Sequence, residues 1–333
     1  MNLRQCAGAA VALTFATAAP EAALACACGC GVFDIGEAAM MPNNANSGFS
    51  AWARFGWMDQ NRNWEGGGPA PAGDNHDKDL ETALYTFGVQ YVIDRRWTVS
   101  AELPVYDRSL RTTDDGTVFG PAGSLYTGRI TSPGDLQLMA TFTGFSPDMS
   151  TGLSVGMKLP TGDWRGPKGP LGGSEFDRDS LPGTGTTDLM VGGYHVGSLN
   201  AKNTLSWFVQ ARYQIPLAAR EGYRPGNELD AASGLAWDLG GAGPVKSFAP
   251  VLQLLGSWRA RDSGANADPL NSGYQRLYLD PGVAVRFSKV RLSADIAVPL
   301  WQHFSSAPGP ALVGTAGQLA APYLLRLQAA YDF

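Results

Sequence analysis

The sequence predicts an all-β fold, a transmembrane antiparallel β-barrel of about 12 strands with short periplasmic turns and long extracellular loops. Three observations predict it: a strictly alternating C-terminal segment, further alternating segments along the chain, and connections that are long and short in turn. In the last eleven residues one nearly apolar face consists of Tyr323, Leu325, Leu327, Ala329, Tyr331 and Phe333. In a soluble sheet such a strand would be an exposed edge, whereas a closed barrel turns its apolar face to lipid and has no edge.

The first 25 residues are predicted to be a secretory signal peptide. Arg4 supplies a positive charge, residues 6–19 are mostly apolar, and Ala23-Leu24-Ala25 is a small-x-small cleavage site before Cys26. The apolar stretch is shorter than the roughly 18 residues that a membrane helix needs. We therefore expect export to the bacterial outer membrane, with a signal peptide (1–25), a cysteine-bearing segment (26–47) and a barrel (48–333).

Alternating apolar and polar residues predict each strand in order. In 203–215, for example, Leu205, Trp207 and Val209 oppose Ser206 and Gln210. The predicted strands are 48–58, 81–93, 96–105, 134–144, 150–160, 186–197, 203–215, 228–239, 248–259, 274–287, 290–299 and 322–333.

The connections between these segments alternate in length along the whole chain. The short ones are 94–96, 145–149, 198–202, 240–247 and 288–289, and the long ones are 59–80, 106–133, 161–185, 216–227, 260–273 and 300–321. Single-chain outer-membrane barrels have short periplasmic turns, long extracellular loops and an even number of strands. The pattern therefore places both termini in the periplasm.

Four strands are predicted to end at an apolar residue followed by proline. The steps are Leu103-Pro104, Leu159-Pro160, Ile215-Pro216 and Val298-Pro299. Proline lacks the backbone N–H that a central ladder needs, so it suits a strand terminus. In the predicted topology all four steps lie at the extracellular end.

Two glycine- and threonine-rich stretches frame one long loop. Residues 158–163 (KLPTGD) close one strand and residues 183–188 (GTGTTD) open the next. Glycine permits tight turns and threonine forms local hydrogen bonds, so these residues are predicted to shape the loop, with solute binding as the alternative. The motif residues are Pro160, Thr161, Gly162, Asp163, Gly183, Thr184 and Gly185.

These two stretches resemble the signature of outer-membrane transporters linked to meta-pathway phenol degradation (MetA-type), a family similar in layout to long-chain fatty-acid channels. The resemblance is best over residues 85–200 and thinner towards both ends. It implies a barrel that moves small, often hydrophobic, molecules. The cysteines at the start of the mature chain are an addition to the family pattern.

Cys26, Cys28 and Cys30 place three thiols within five residues of the mature N-terminus. Soft thiolates at this spacing suit Cu(I), or Zn with a fourth ligand. The alternatives are a lipidated Cys26 with a Cys28–Cys30 disulfide, or an oxidised tail without function. The apolar stretches 32–35 and 38–41 predict that segment 26–47 enters the lumen as a plug. No histidine in the sequence completes a metal site with these cysteines.

The inward faces of the predicted strands carry charges of both signs. Balanced charges favour ion pairs that rigidify the lumen, with residues 276, 280 and 286 pairing to 291 and 295; a weakly selective polar conduit is the alternative. The predicted lumen-lining residues are Arg54, Glu102, Lys158, Asp188, Arg212, Asp230, Asp238, Arg276, Asp280, Arg286, Arg291, Asp295 and Arg326.

The predicted function is an outer-membrane channel for a small solute, with hydrophobic or aromatic compounds as the leading class. A metal-handling protein and a structural or interaction barrel with a closed lumen are the alternatives. Ser124, Ser132 and Ser180 have no identifiable histidine partner, so catalysis is not expected. The net charge of −5 and the lack of a basic patch exclude nucleic acid. The expected partners are outer-membrane lipid, the solute, and the barrel-assembly machinery through the terminal Phe333.

Overall fold

A computed structural model describes residues 48–306 and 317–333. This part of the chain contains sixteen strands and a 3-10 turn at Ala72–Asp74. The strands are β1 (Gly48–Gln60), β2 (Arg62–Glu65), β3 (Gly68–Pro69), β4 (Asp77–Asp94), β5 (Trp97–Thr113), β6 (Leu125–Pro133), β7 (Leu136–Phe142), β8 (Thr151–Leu159), β9 (Asp188–Ser198), β10 (Leu205–Pro216), β11 (Glu228–Trp237), β12 (Ser247–Arg259), β13 (Tyr274–Arg286), β14 (Val290–Phe304), β15 (Gln318–Ala320) and β16 (Leu324–Asp332).

Twelve of these described strands form a closed antiparallel barrel, which confirms the predicted fold class. The order is β1, β4, β5, β7, β8, β9, β10, β11, β12, β13, β14 and β16. The barrel closes between β1 and β16, where Ser50 lies opposite Asp332 and Met58 opposite Leu324. Strand β6 extends the β5 ladder above β7, and β2, β3 and β15 form a small separate sheet.

The barrel exterior is apolar, as the alternation of the strands requires. Phe87 on β4 is 52% exposed and Leu327 on β16 is 43% exposed, although both lie in the middle of paired strands. Near the C-terminus the ring centroids of Phe49 and Phe333 lie 5.2 Å apart, and those of Tyr331 and Phe333 lie 4.9 Å apart. Such a surface suits a hydrocarbon environment flanked by aromatic girdles. No helix in residues 48–306 or 317–333 is long and apolar enough to cross a membrane.

The loop predicted for residues 106–133 is largely strand, and this prediction is wrong. Strand β5 continues to Thr113 and returns as β6, with Asp107 opposite Thr131 and Arg111 opposite Thr127. These outward-facing residues are polar, because this hairpin stands beyond the apolar band. The β5–β6 ladder therefore continues beyond residue 105, where the alternation that predicted the strand has ended. Strand β14 likewise continues to Phe304 rather than ending at residue 299.

Two of the four prolines also depart from their predicted positions. Pro160 directly follows β8 and Pro216 ends β10, but Pro104 and Pro299 lie inside β5 and β14. Pro104 is tolerated because the strand beside it is interrupted between β6 and β7, so no ladder partner there requires its N–H. Pro299 lies at a register shift of the β13–β14 ladder.

Candidate functional site

The barrel lumen is crossed at mid-height by buried ion pairs. Arg326 on β16 donates to Asp280 and, at 2.6 Å, to Asp295. Arg212 lies 3.5 Å from Asp230, and Nε of Arg54 donates to Oε1 of Gln328 at 2.9 Å. These predicted lumen residues are all placed on inward-facing strand positions, at different points around the wall.

The predicted pairing of residues 276, 280 and 286 with 291 and 295 is wrong. Asp295 on β14 lies directly opposite Arg326 on the neighbouring β16, and Asp280 turns to the same guanidinium. The ladder places Arg286 opposite Arg291, which are like charges. Arg291 instead pairs with Asp332 at 3.3 Å. The choice depends on β16, which pairs with β14 on the side away from β13 and so offers Asp295 a second neighbour.

One hydrogen bond spans the lumen between strands that are not neighbours. Nη1 of Arg212 on β10 lies 3.4 Å from Oε1 of Gln137 on β7, although β8 and β9 separate the two strands in the wall. Glu102 lies opposite Gln137 in the β5–β7 ladder, on the same inward face. The lumen is therefore constricted at this level by side chains that reach across it.

A buried network centred on Asp135 lies where β7 begins. Nζ of Lys158 is 2.8 Å from Asp135 and 3.1 Å from Asp188, and it also donates to Oγ1 of Thr184. Asp135 accepts the backbone N–H groups of Gly162 and Thr184, both at 3.0 Å. One carboxylate thus binds both ends of the long β8–β9 connection. Sequence reasoning missed Asp135, although the turn-forming run Pro133-Gly134-Asp135 inside a strand pattern was a signal.

The loop-motif residues hold the same connection together. Thr161 accepts the N–H of Leu136 at 2.8 Å, and the carbonyl of Asp163 accepts the N–H of Gly183 at 2.8 Å. A Cβ at Gly183 would lie 2.5 Å from the carbonyl carbon of Gly162, so the two backbones can approach this closely only as glycines. Gly185 has φ +72°, in the left-handed region. Pro160 begins the connection and Thr184 anchors it.

Residues 160–187, which we call the mouth loop, lie across the extracellular end of the barrel. Phe176 and Leu181 of this loop belong to a buried cluster with Leu80, Leu110, Ile130 and Leu319. Towards the opposite wall, the guanidinium of Arg178 lies 4.7 Å from the ring centroid of Tyr223. Burial, together with the nearby Asp262, raises the pKa of Asp179 to about 7. The mouth loop therefore contacts β4, β5 and β6 on one side of the opening and the β10–β11 connection on the other.

Buried apolar side chains also lie inside the lumen, among the buried charged groups. They form one buried cluster whose members come from β1, β4, β10 to β14 and β16, together with Ala321. The cluster, which we call the apolar layer, contains Met58, Leu84, Phe208, Ala232, Val251, Leu255, Tyr278, Ala297, Ala321 and Leu324. The alternation pattern did not predict it, because these residues occupy inward positions that were expected to be polar.

A cavity of about 580 Å³ lies at the periplasmic end, with Phe208 of the apolar layer in its wall. We call it the vestibule. Tyr194 and Val196 give it an apolar side. The predicted lumen residues Asp238, Arg286 and Arg291 give it a polar side.

Arg276, the remaining predicted lumen residue, is buried on β13 towards the extracellular end. Two of the histidines lie elsewhere: Nδ1 of His195 bonds Oγ1 of Thr151 at 2.7 Å, and His303 stacks against Trp301. Cys26, Cys28 and Cys30 lie outside the described residues. Within 48–306 and 317–333 no group of three or more His, Cys, Asp or Glu could hold a metal ion.

No protein-family model matches the sequence, and no curated protein matches it. Among solved structures, an outer-membrane channel from Pseudomonas putida F1 has a TM-score of 0.59 at 12% identity, covering 90% of this chain and 99% of that chain. The fold is that of a bacterial outer-membrane barrel. At this identity the likeness shows the fold alone, and the resemblance to the MetA-type family stays a prediction.

Two further structures are similar at lower TM-scores. The β domain of the Bordetella autotransporter BrkA has a TM-score of 0.47 at 12% identity, covering 86% of this chain and 100% of that chain. The Ralstonia pickettii toluene transporter TbuX has a TM-score of 0.39 at 12% identity, covering 94% of this chain and 95% of that chain.

Proposed function

We propose that the barrel carries a small hydrophobic or aromatic solute across the outer membrane, without catalysis. The apolar layer carries this proposal, because Met58, Leu84, Leu255 and Leu324 are buried inside a barrel whose outer surface is also apolar. Outer-membrane barrels ordinarily have polar interiors. Apolar side chains inside the lumen give the apolar part of a solute favourable contacts beside the buried polar groups.

The order of the zones in the lumen supports the proposal. The mouth loop crosses the extracellular end, the apolar layer follows below it, and the vestibule lies at the periplasmic end. The likeness in fold to the Pseudomonas putida channel agrees with a channel function. A barrel with a closed structural lumen would not need a cavity of about 580 Å³ below its apolar layer.

The test compares the flux of benzyl alcohol with that of a hexose into vesicles whose outer leaflet is lipopolysaccharide. The wild-type protein is expected to speed benzyl alcohol entry over protein-free vesicles and to leave hexose entry unchanged. Leu84→Gln places an amide in the apolar layer and should lower benzyl alcohol flux several-fold. Leu84→Met, which keeps an apolar side chain of similar volume, is the matched control and should retain it.

Two results would contradict the transport proposal. In the first, benzyl alcohol enters no faster than in protein-free vesicles. In the second, benzyl alcohol and hexose enter at similar rates through the protein, as through a water-filled pore.

Metal handling by Cys26, Cys28 and Cys30 remains a separate proposal that rests on their spacing. The test is the metal content of the purified, signal-cleaved protein beside a variant with all three cysteines replaced by serine. Stoichiometric copper or zinc that is lost in the variant would support it. Equal metal content in the two proteins would contradict it.

A further inference from the structure

Arg276 is a buried cation with unused hydrogen-bond donors. It lies on the inward face of β13 and is 5% exposed. Its guanidinium lies 3.7 Å from the ring centroid of Tyr274, and Nη1 is 3.5 Å from the hydroxyl of Tyr278. Nε and Nη2 are buried and have no hydrogen-bond partner within residues 48–306 and 317–333. Arginine keeps its charge in proteins, so two donors of a buried cation lack a hydrogen bond here, although the carboxylate of Glu228 is near enough to act on the charge.

Three other buried arginines of the barrel each contact a carboxylate directly. Arg326 contacts two carboxylates, Arg212 contacts Asp230, and Arg259 contacts Asp262 at 2.8 Å. A buried charge without a partner is strongly destabilising, and buried donors that lack a partner call for an explanation. Near Arg276 the carboxylate of Glu228 instead accepts the hydroxyl of Tyr274 at 2.8 Å.

The surroundings of Arg276 suit a planar anion. Gln302 lies directly opposite Arg276 in the β13–β14 ladder. The ring of Phe304 lies 5.8 Å from the guanidinium, and Trp64 packs against Tyr274 and Phe304. A guanidinium fork matches a carboxylate with two parallel hydrogen bonds, and aromatic side chains favour an aromatic ring beside it.

We propose that Arg276 receives the carboxylate of the transported solute, so that the barrel is selective for small aromatic carboxylates. This inference rests on the proposed transport function and narrows its substrate class. The inward face of β13 carries a second arginine, Arg286, in the vestibule, where it lies opposite Arg291. The periplasmic exit thus holds two arginines, beside Asp148 and Asp238. Asp280, between the two arginines on this face, shares the guanidinium of Arg326 with Asp295.

The test uses benzoate and benzyl alcohol, which share a ring but differ in charge. Their initial fluxes are measured in the same lipopolysaccharide vesicles for the wild-type protein, Arg276→Gln, Arg276→Lys and Arg129→Gln. Arg276→Gln should lower the ratio of benzoate flux to benzyl alcohol flux about tenfold, which corresponds to about 1.4 kcal/mol. Arg276→Lys keeps the charge without the fork and should be intermediate. Arg129 is exposed on β6 and serves as the matched control, with an unchanged ratio.

A second measurement keeps the proposal testable if Arg276→Gln does not fold. Benzoate, but not benzyl alcohol, should raise the Tm of the detergent-solubilised wild-type barrel, because a ligand that binds only the folded state stabilises it. Arg276→Lys should show a smaller rise.

The outcomes separate the two proposals. If neither compound crosses faster than in protein-free vesicles, transport is wrong, and the effect of benzoate on Tm still decides whether Arg276 binds the anion. If benzyl alcohol crosses while benzoate does not, or if Arg276→Gln lowers both fluxes equally, the carboxylate proposal is overturned and transport stands. No rise in Tm with benzoate would also overturn it, and water would then satisfy Nε and Nη2.

Discussion

The two ends of the barrel use the same side-chain chemistry, and three aspartates at the extracellular end differ in burial from two at the periplasmic end. At both ends an aspartate carboxylate accepts backbone N–H groups of the connecting segment. At the extracellular end the carboxylates of Asp114, Asp135 and Asp262 are buried. At the periplasmic end the carboxylates of Asp94 and Asp148 are exposed.

The extracellular anchors each make several contacts. Asp114 accepts the N–H groups of five consecutive residues, 116–120, at 2.6–3.2 Å. Asp262 accepts the N–H of Gly226 at 2.7 Å and the hydroxyl of Tyr223 at 2.8 Å, and so joins two loops. The exposed Asp94 accepts only the N–H groups of Arg96 and Trp97.

The difference shows what a long loop needs that a short turn does not. A turn of two residues is held in place by the backbone hydrogen bonds of the two strands that it connects, so its aspartate only has to accept one or two N–H groups of the turn. A loop as long as 160–187 has backbone groups that no ladder satisfies, and a buried carboxylate gathers several of them away from water. Burial therefore decides how much each aspartate contributes to stability.

The largest effect is expected at Asp135. Asp135→Asn removes the charge that faces the buried Lys158 and one acceptor of the network, so the free energy of unfolding should fall by about 3 kcal/mol. The mouth loop should also become sensitive to proteases. Denaturant unfolding in detergent and limited proteolysis of residues 160–187 measure the two effects. A loss no larger than that of Asp94→Asn would contradict the role of burial.

The mouth loop should also loosen as the pH rises. Burial and the nearby Asp262 raise the pKa of Asp179 to about 7, so the closed loop favours the protonated acid. Its stabilisation is complete below the unfolded pKa near 3.8 and is lost as the pH rises through about 7. Proteolysis of the mouth loop should be several-fold faster at pH 9 than at pH 5. Asp179→Asn should remove this pH dependence of proteolysis. If the dependence persists in the variant, Asp179 is not its cause.

A smaller, local effect is expected at Asp114. Burial acts to raise the pKa of Asp114, but the backbone N–H groups that it accepts outweigh burial and lower the pKa to about 2. The contribution of the ionised Asp114 to the free energy of unfolding is present above the unfolded pKa and is lost as the pH falls through about 2. Asp114→Asn should cost about 1–2 kcal/mol, because one oxygen no longer accepts. Hydrogen exchange of the backbone amides of residues 116–120 measures this loss. Unchanged protection of these amides in Asp114→Asn would contradict the prediction.

The smallest effect is expected at Asp94, which is exposed in the turn between β4 and β5. Asp94→Asn keeps one acceptor in contact with water, so the free energy of unfolding should change by less than about 0.5 kcal/mol. The same denaturant titration measures it. A loss as large as that of Asp135→Asn would show that burial does not separate the two ends.

The sequence predicted the strands better than it predicted the site. Alternation placed β12 at 248–259 against the observed Ser247–Arg259, and β13 at 274–287 against Tyr274–Arg286. It failed for β5 beyond residue 105, because alternation reports contact with lipid and the hairpin extends beyond the lipid. Lys158 and Asp188 were predicted to be inward, but Asp135, which contacts Lys158, was not among the predicted residues.

The sequence by itself determined the closed barrel, its strands and the side on which its long loops lie. Lipid imposes these features on every residue in turn: the outward face must be apolar, and each backbone group must be paired by closure. Only the tertiary structure decided which inward residues meet, as Arg212 with Gln137 across the lumen and Arg326 with Asp280 and Asp295. Such contacts depend on the stagger of the strands and on the curvature of the wall, which no local pattern records. For the same reason the apolar layer and the unpaired donors of Arg276 appear only in the folded barrel.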